Sequence, residues 1–322
     1  MSQNKTKKIT SIGGSALIEG IMMRGPKRTT VAVRTGKDEI YTEDIEFKGI
    51  CQKFKIFKIP FIRGIGGLID SMALSYKSLM LSANKAIEAG EIEEEEPSKF
   101  EKWLDEKFGE KLVKVLMVFA SILGVALAVG LFFFVPSLLY DLVCKVTSLA
   151  ESRLFKSVFE GVLKIALFLA YIVLCSRMED MKRVFMYHGA EHKTIFCYEN
   201  DEELTVENVR KYRRFHPRCG TSFLVIMLIL GIVLGLFVPV APFGISFLRP
   251  IFKILLLPIT CGIGYELIKI CGRHDNTLTR IISAPGMWAQ HITTKEPDDT
   301  MIEVAISAIT PVIPDDGSDI IK

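Results

Sequence analysis

Four stretches of this chain are apolar over about twenty residues, the length a helix needs to cross a bilayer. They run near Leu112–Val135, Val158–Cys175, Ser222–Ala241 and Ile245–Ile268. The first holds only Lys114, the second carries Glu160 and Lys164 in its first turns, and the third is uncharged. The fourth is interrupted by Arg249-Pro250, Lys253 and Pro258. No clear pair of opposite charges stands out within these runs, which disfavours a transporter. Gly231-Ile-Val-Leu-Gly235 in the third run is a GxxxG, a pattern that permits close helix packing.

The pattern before the first run differs. Thr29–Thr35 is a β-branched run, Gly36-Lys37-Asp38 is a turn signal, and Glu39–Phe47 alternates apolar and polar positions. Together they predict a hairpin within a β-rich unit over residues 9–49, with a second turn at Arg24-Gly25-Pro26-Lys27. Glu19 is an unexpected carboxylate inside the apolar string Ala16–Met23; for it, Arg24 and Arg63, salt-bridged structural roles are expected. In residues 60–84, Ile65, Leu68, Ile69, Met72, Leu79 and Met80 recur at helical spacing. That segment is too polar to span and reads as a helix lying in the membrane interface or packed on the bundle. Glu91–Glu96 reads as a solvated linker, and Phe100–Phe108 as an amphipathic piece leading into the first span. Near the end, Asn276–His291 is amphipathic, Thr300–Ile309 predicts a short helix, and the last ten residues read as frayed.

The expected fold is therefore a mainly α membrane protein with about four transmembrane helices, a small β-rich cytoplasmic N-terminal unit and an interfacial helix. Its expected divisions are residues 1–50 (β-rich), 51–110 (interfacial helices and acidic linker), 111–268 (transmembrane region) and 269–322 (cytoplasmic tail). A mean hydropathy of +0.32 is too high for an ordinary soluble enzyme. The start, Met-Ser-Gln-Asn-Lys-Thr-Lys-Lys, has no continuous apolar region of a secretory signal. Lys and Arg crowd the 177–221 loop and residues 99–114, and are sparse at 136–157 and 242–247, so both termini and the 177–221 loop should face the cytoplasm of a plasma membrane. Of the seven cysteines only Cys144 falls on the predicted outer side, so no disulfide framework is expected. A net charge of +3 is too small to imply nucleic acid as a partner.

The chemistry concentrates in the polar loop between the second and third runs. His188-Gly-Ala-Glu191-His192 is an H-x-x-E-H string. Two histidines four apart project from one side of a helix, and a glutamate between them is the usual general base of a zinc hydrolase. If the second run continues as one helix past Cys175, Met178, Met181, Phe185, His188 and His192 share a face. Gly189 would weaken that helix but could permit close approach of another segment. His216-Pro-Arg-Cys219 and His274 reach the same predicted surface. The candidate metal ligands are thus His188, His192, His216, Cys219 and His274, with Glu191 as base and zinc or another divalent ion as metal. Glu266 is a weaker candidate ligand. Arg210, Lys211, Arg213, Arg214 and Arg218 interleave with aromatic residues; they mark the cytoplasmic side and could meet anionic head groups of membrane lipids.

Four motifs, Ile12–Pro26, Tyr187–Lys193, His216–Thr221 and Pro285–Pro297, occur in order and span nearly the whole chain. In them the chain resembles the YqhQ-like family of bacterial multi-pass membrane proteins, a domain of unknown function labelled a predicted metal-dependent enzyme. The resemblance implies no substrate. Two readings follow: a metal-dependent hydrolase acting on a membrane-associated substrate, or a non-catalytic scaffold or regulator whose His/Cys cluster is structural.

Overall fold

The computed structural model describes residues 8–37, 39–60, 62–90, 115–116, 119–147, 152–274 and 276–321. The expected acidic linker and the amphipathic piece at 100–108 lie outside them. The described chain is mainly helical and divides into two compact units. One comprises residues 1–92, 169–227 and 258–322, the other 93–168 and 228–257.

The first unit is built on a four-stranded antiparallel sheet, β1 (Gly13–Leu17), β2 (Gly20–Arg24), β3 (Thr29–Gly36) and β4 (Glu39–Asp44), in sequential order. The predicted hairpin is β3–β4, with Val31 opposite Glu43 and Val33 opposite Tyr41. Side chains alternate across a strand, and both faces of the sheet are buried. Met22, Val31 and Val33 pack with Leu74 of α1 (Ile62–Glu88), whereas Ile21, Met23 and Ala32 face a second cluster. That second cluster is closed by Tyr187, Ala190 and Ile195 of α4 (Glu179–Glu199) and by Met301, Ile302, Val304, Ala305, Ala308 and Ile309 of α9 (Asp299–Ile309). All six residues of α9 are 0–1% exposed. Burial of each large one is worth about 1.5–3 kcal/mol, so the C-terminal helix is core. Asp298 caps it by accepting from the Met301 N–H at 2.9 Å.

The extreme C-terminus corrects the expectation of fraying. Ile321 N–H donates to the Ile9 carbonyl and Ser11 N–H to the Asp319 carbonyl. The Asp319 carboxylate also accepts from the Thr10 and Tyr198 hydroxyls. Glu19, the carboxylate out of place in the apolar string, sits in the two-residue β1–β2 turn at φ 50, in the left-handed region. Arg183 grips it through two hydrogen bonds of 2.5 Å, and the Tyr187 hydroxyl donates at 3.2 Å.

Two helices are long and apolar enough to cross a membrane, α2 (Phe119–Thr147, with a π-helical turn at Gly130–Phe134) and α3 (Arg153–Cys175). A third candidate is the pair α6 (Leu248–Leu255) and α7 (Leu257–Arg273), bent by 42°. Pro258 in the first turn of α7 lacks an N–H to extend the preceding ladder, which accounts for the break. The third apolar run forms only α5 (Gly220–Gly235), 16 residues long. At 1.5 Å per residue it is shorter than the ~30 Å hydrocarbon core.

Within the second unit a side chain holds the end of α5 and the segment that follows it. Arg249, fully buried, donates to the carbonyls of Gly235, Val238 and Pro239, to the Ser157 hydroxyl and to the Glu160 carboxylate. Two of these carbonyls, Val238 and Pro239, belong to the segment just after α5, and Gly235 ends the helix. Lys253 also pairs with Glu160, and Lys156 with Asp141. The expectation of no charge pair within the apolar runs is therefore corrected. The GxxxG expectation holds for one of its two glycines. Gly231 meets nothing within 4 Å, whereas a Cβ on Gly235 would lie 3.1 Å from the Lys253 side chain, and one on Gly161 would lie 2.5 Å from Ile232.

Candidate metal centre

The second apolar run does not continue through the histidines as one helix. It ends at Cys175, and α4 restarts after Met178, whose φ −72, ψ 135 is extended. The expected shared apolar face is replaced by burial all round: every residue from Gly189 to Cys197 is buried. A helix this polar and enclosed on all sides must find partners for its side chains. Lys193 donates to the Arg210 carbonyl at 3.1 Å and pairs with Glu296, and the Thr194 hydroxyl donates to the Ala190 carbonyl.

The two motif histidines are held alike. His188 Nδ1 lies 2.9 Å from the Thr293 carbonyl and His192 Nδ1 2.5 Å from the Arg214 carbonyl. A carbonyl can only accept, so each Nδ1 carries the proton. The neutral ring then presents Nε2 as a lone pair, the tautomer a metal requires. His188 Nε2 points at Cys219 Sγ, 3.1 Å away. His188, His192 and Cys219 form a group whose ligand atoms all lie within 4.8 Å of one another and that could hold a metal ion.

The other candidates are placed differently. His216 is next to the group, its ring centroid 5.5 Å from that of His192, but its nitrogens are engaged elsewhere. Nδ1 accepts from the Arg218 N–H at 3.3 Å, and Nε2 faces Glu199 at 3.9 Å. His274 is exposed at the end of α7 and lies outside the group. Glu266 forms a two-point pair with Arg63. Glu191 is buried against β1, where a Cβ on Gly14 would lie 3.0 Å from its carboxyl carbon. Its Oε2 has no hydrogen-bond partner among the described residues, an unusual condition for a buried carboxylate.

Electrostatics couples these groups. Burial opposes the Cys219 thiolate, but His188 and His192 outweigh it and hold the thiol well below its ordinary range. Burial likewise opposes a charged His188, yet Cys219 overcomes this and raises the ring to about 9. Each of the two groups thus favours the charged form of the other. Burial pushes the Glu191 carboxyl up against the opposing pull of the two histidines. His216 behaves oppositely to His188: burial drives it down to about 4. Glu199 pays its own burial cost but falls to about 2 through His216 and Arg218.

The C-terminal motif is the scaffold of the group. Buried Gln290 of α8 (Thr277–Thr293) accepts from the His216 N–H at 2.8 Å. It donates to the His216 carbonyl at 2.8 Å and to the Ser222 hydroxyl at 2.9 Å. It therefore clamps both sides of Cys219. Thr293 supplies the carbonyl that orients His188, and Lys295 N–H bonds the Phe185 carbonyl. Gly189 makes this approach possible, since a Cβ there would lie 2.1 Å from the Lys295 oxygen. The basic string is mostly engaged: Arg210 with Asp299, Arg214 with Glu296 and Arg218 with Glu199, while Arg213 lies over the Phe196 ring.

His188, Glu191, His192, His216 and Cys219 all line a cavity of ≈ 1610 Å³ in the first unit. The family described as "Protein of unknown function (DUF1385)" matches over residues 59–315. "Uncharacterized protein YqhQ" of Bacillus subtilis (strain 168) is similar at 33% identity over 313 residues, covering 96% of this chain and 94% of that protein. No solved structure matches. The chain belongs to the DUF1385 family.

Proposed function

We propose that this member of the DUF1385 family is a multi-pass plasma-membrane protein that holds zinc between His188, His192 and Cys219 and hydrolyses a membrane-associated substrate. The observation that carries this reading is a pair of imidazoles, each donating from Nδ1 to a backbone carbonyl and grouped with the Cys219 sulfur. Three ligands beside a cavity leave a coordination position open, the mark of a catalytic rather than a closed structural zinc site. Zinc there would supply Lewis-acid activation of water. Glu191, whose Oε2 has no hydrogen-bond partner among the described residues, would be the residue that accepts a proton from water there and passes it to the leaving group. The lysine and arginine bias of the loops supports four spans with both termini and this site on the cytoplasmic side.

Cobalt substitution tests the ligand set. The cobalt-loaded protein is expected to show thiolate-to-metal charge-transfer absorption that Cys219→Ser abolishes; absence of that band in the unaltered protein overturns the assignment. Glu191→Gln separates catalysis from architecture. It is expected to keep the metal and lose hydrolysis, whereas joint loss of metal and fold favours the structural reading.

A further inference from the structure

The cavity beside the candidate centre has two kinds of wall. Six cationic side chains line it against four carboxylates. Arg28, Arg63 and Arg218 are paired with Asp44, Glu266 and Glu199, and Lys27 with Asp316. Arg24 and Lys48 have no ionic partner among the described residues, and both are exposed. Arg24 is the register partner of Gly13, and the next residue, Gly14, lies against Glu191. Arg24 alternates to the face of the sheet that carries Met22, and its unneutralised guanidinium lines the same cavity as the proposed base.

The other wall is apolar and bare. Met72 of α1 is 66% exposed and Leu224 of α5 is 49% exposed, although both line the cavity. Leu224 belongs to an uncharged helix, so its surroundings are hydrocarbon if α5 enters the bilayer. Exposed apolar side chains continue along α1 at Ile69, Tyr76 and Met80. A site for a small soluble anion has no use for such a wall, and a site for a neutral lipid has no use for free cations at its polar end.

We propose that the cavity takes an amphiphile with a negatively charged, phosphate-bearing head, held by Arg24 and Lys48, with its chain along Met72 and Leu224. Glu191 lines the same cavity. This rests on the hydrolase reading for its consequence but not for its binding. It also moves anion recognition from the Arg210–Arg218 string, largely engaged in ion pairs, to the cavity.

The test is calorimetric titration of the full-length, zinc-loaded protein in a neutral detergent, with blank micelles subtracted. Dioctanoyl phosphatidate, inorganic phosphate and dioctanoylglycerol are the three probes. Phosphatidate is expected to bind at least tenfold tighter than either of the others. Arg24→Gln should weaken it about tenfold, and Met72→Glu should weaken phosphatidate while leaving inorganic phosphate unchanged. Equal binding of inorganic phosphate overturns the proposal in favour of a plain anion site. Equal binding of dioctanoylglycerol reduces it to apolar partition, and no binding of phosphatidate refutes it. Zinc content measured on the same samples keeps the two readings apart. Arg24-dependent phosphatidate binding without zinc sinks the hydrolase and leaves the amphiphile site standing. A zinc-loaded protein that does not discriminate does the reverse.

Discussion

Two buried polar clusters, one in each unit, show how the same residue chemistry can be closed or left open. In the second unit, Arg249 directs all five of its N–H donors to the carbonyls of Gly235, Val238 and Pro239, to Ser157 and to Glu160, and Lys253 completes the Glu160 pair. In the first, His188 and His192 each satisfy one nitrogen on a carbonyl and turn the other inward, and Glu191 keeps an oxygen without a partner among the described residues. A cluster with every group satisfied holds helices together. A cluster that satisfies only the outer half of each group is prepared for something else. The residue lists alone would rank the second unit's Arg, Lys and Glu as the more functional, because ionisable groups in apolar helices are rare. Accounting for each donor and acceptor reverses that ranking.

The largest expected effect is on the closed cluster. Arg249→Met leaves Glu160 short of a partner and takes the Arg249 donors from the Val238 and Pro239 carbonyls, so it should destabilise the protein by about 3–5 kcal/mol, read from unfolding in detergent. A melting temperature within a degree or two of the unaltered protein would show that the cluster is not closed in the sense argued.

Acid separates the clusters next. His216, held down to about 4 by burial, binds fewer protons folded than unfolded between that value and 6.5, so stability falls as pH drops through this window. Glu199, held at about 2, extends the loss from pH 4.5 downward, because its stabilisation needs the carboxylate. Each contributes on the order of 3 kcal/mol across its window. His216→Asn should flatten the upper part of the stability profile; an unchanged profile would remove His216 from this role.

A smaller effect tests the scaffold. Gly189→Ala places a methyl on the Lys295 carbonyl and should cost about 1–3 kcal/mol while weakening zinc binding, because Thr293 is drawn off His188. Loss of stability with unchanged zinc affinity would uncouple the segment from the site.

What could be read beforehand follows the same division. The β3–β4 hairpin, the helix at residues 60–84 and the H-x-x-E-H string rest on local signals, alternation, helical spacing and side-chain type, and all appear in the fold. The partners of the histidines are backbone carbonyls of Thr293 and Arg214, about a hundred and about twenty residues downstream, and a carbonyl has no sequence signature. The break after Cys175 was hidden because nothing at Ser176–Met178 is a helix breaker. The C-terminal tail looked frayed because its few apolar residues carry no period, yet Asp319 and Ile321 are tied by long-range bonds to Thr10, Ser11 and Ile9. His274 looked close to the other histidines because it adjoins an apolar run, but adjacency to a run fixes depth and not direction. Gln290 gave a signal only as part of its motif; its clamp on the His216–Ser222 segment is visible once both are placed.

The central claim is that the open cluster is a zinc site built from His188, His192 and Cys219, and elemental analysis of the purified full-length protein tests it most directly. One zinc per chain is predicted for the unaltered protein and for His274→Ala, falling to near zero in Cys219→Ser and His192→Ala under the same wash. No stoichiometric metal in the unaltered protein, or full retention in both ligand variants, would contradict it.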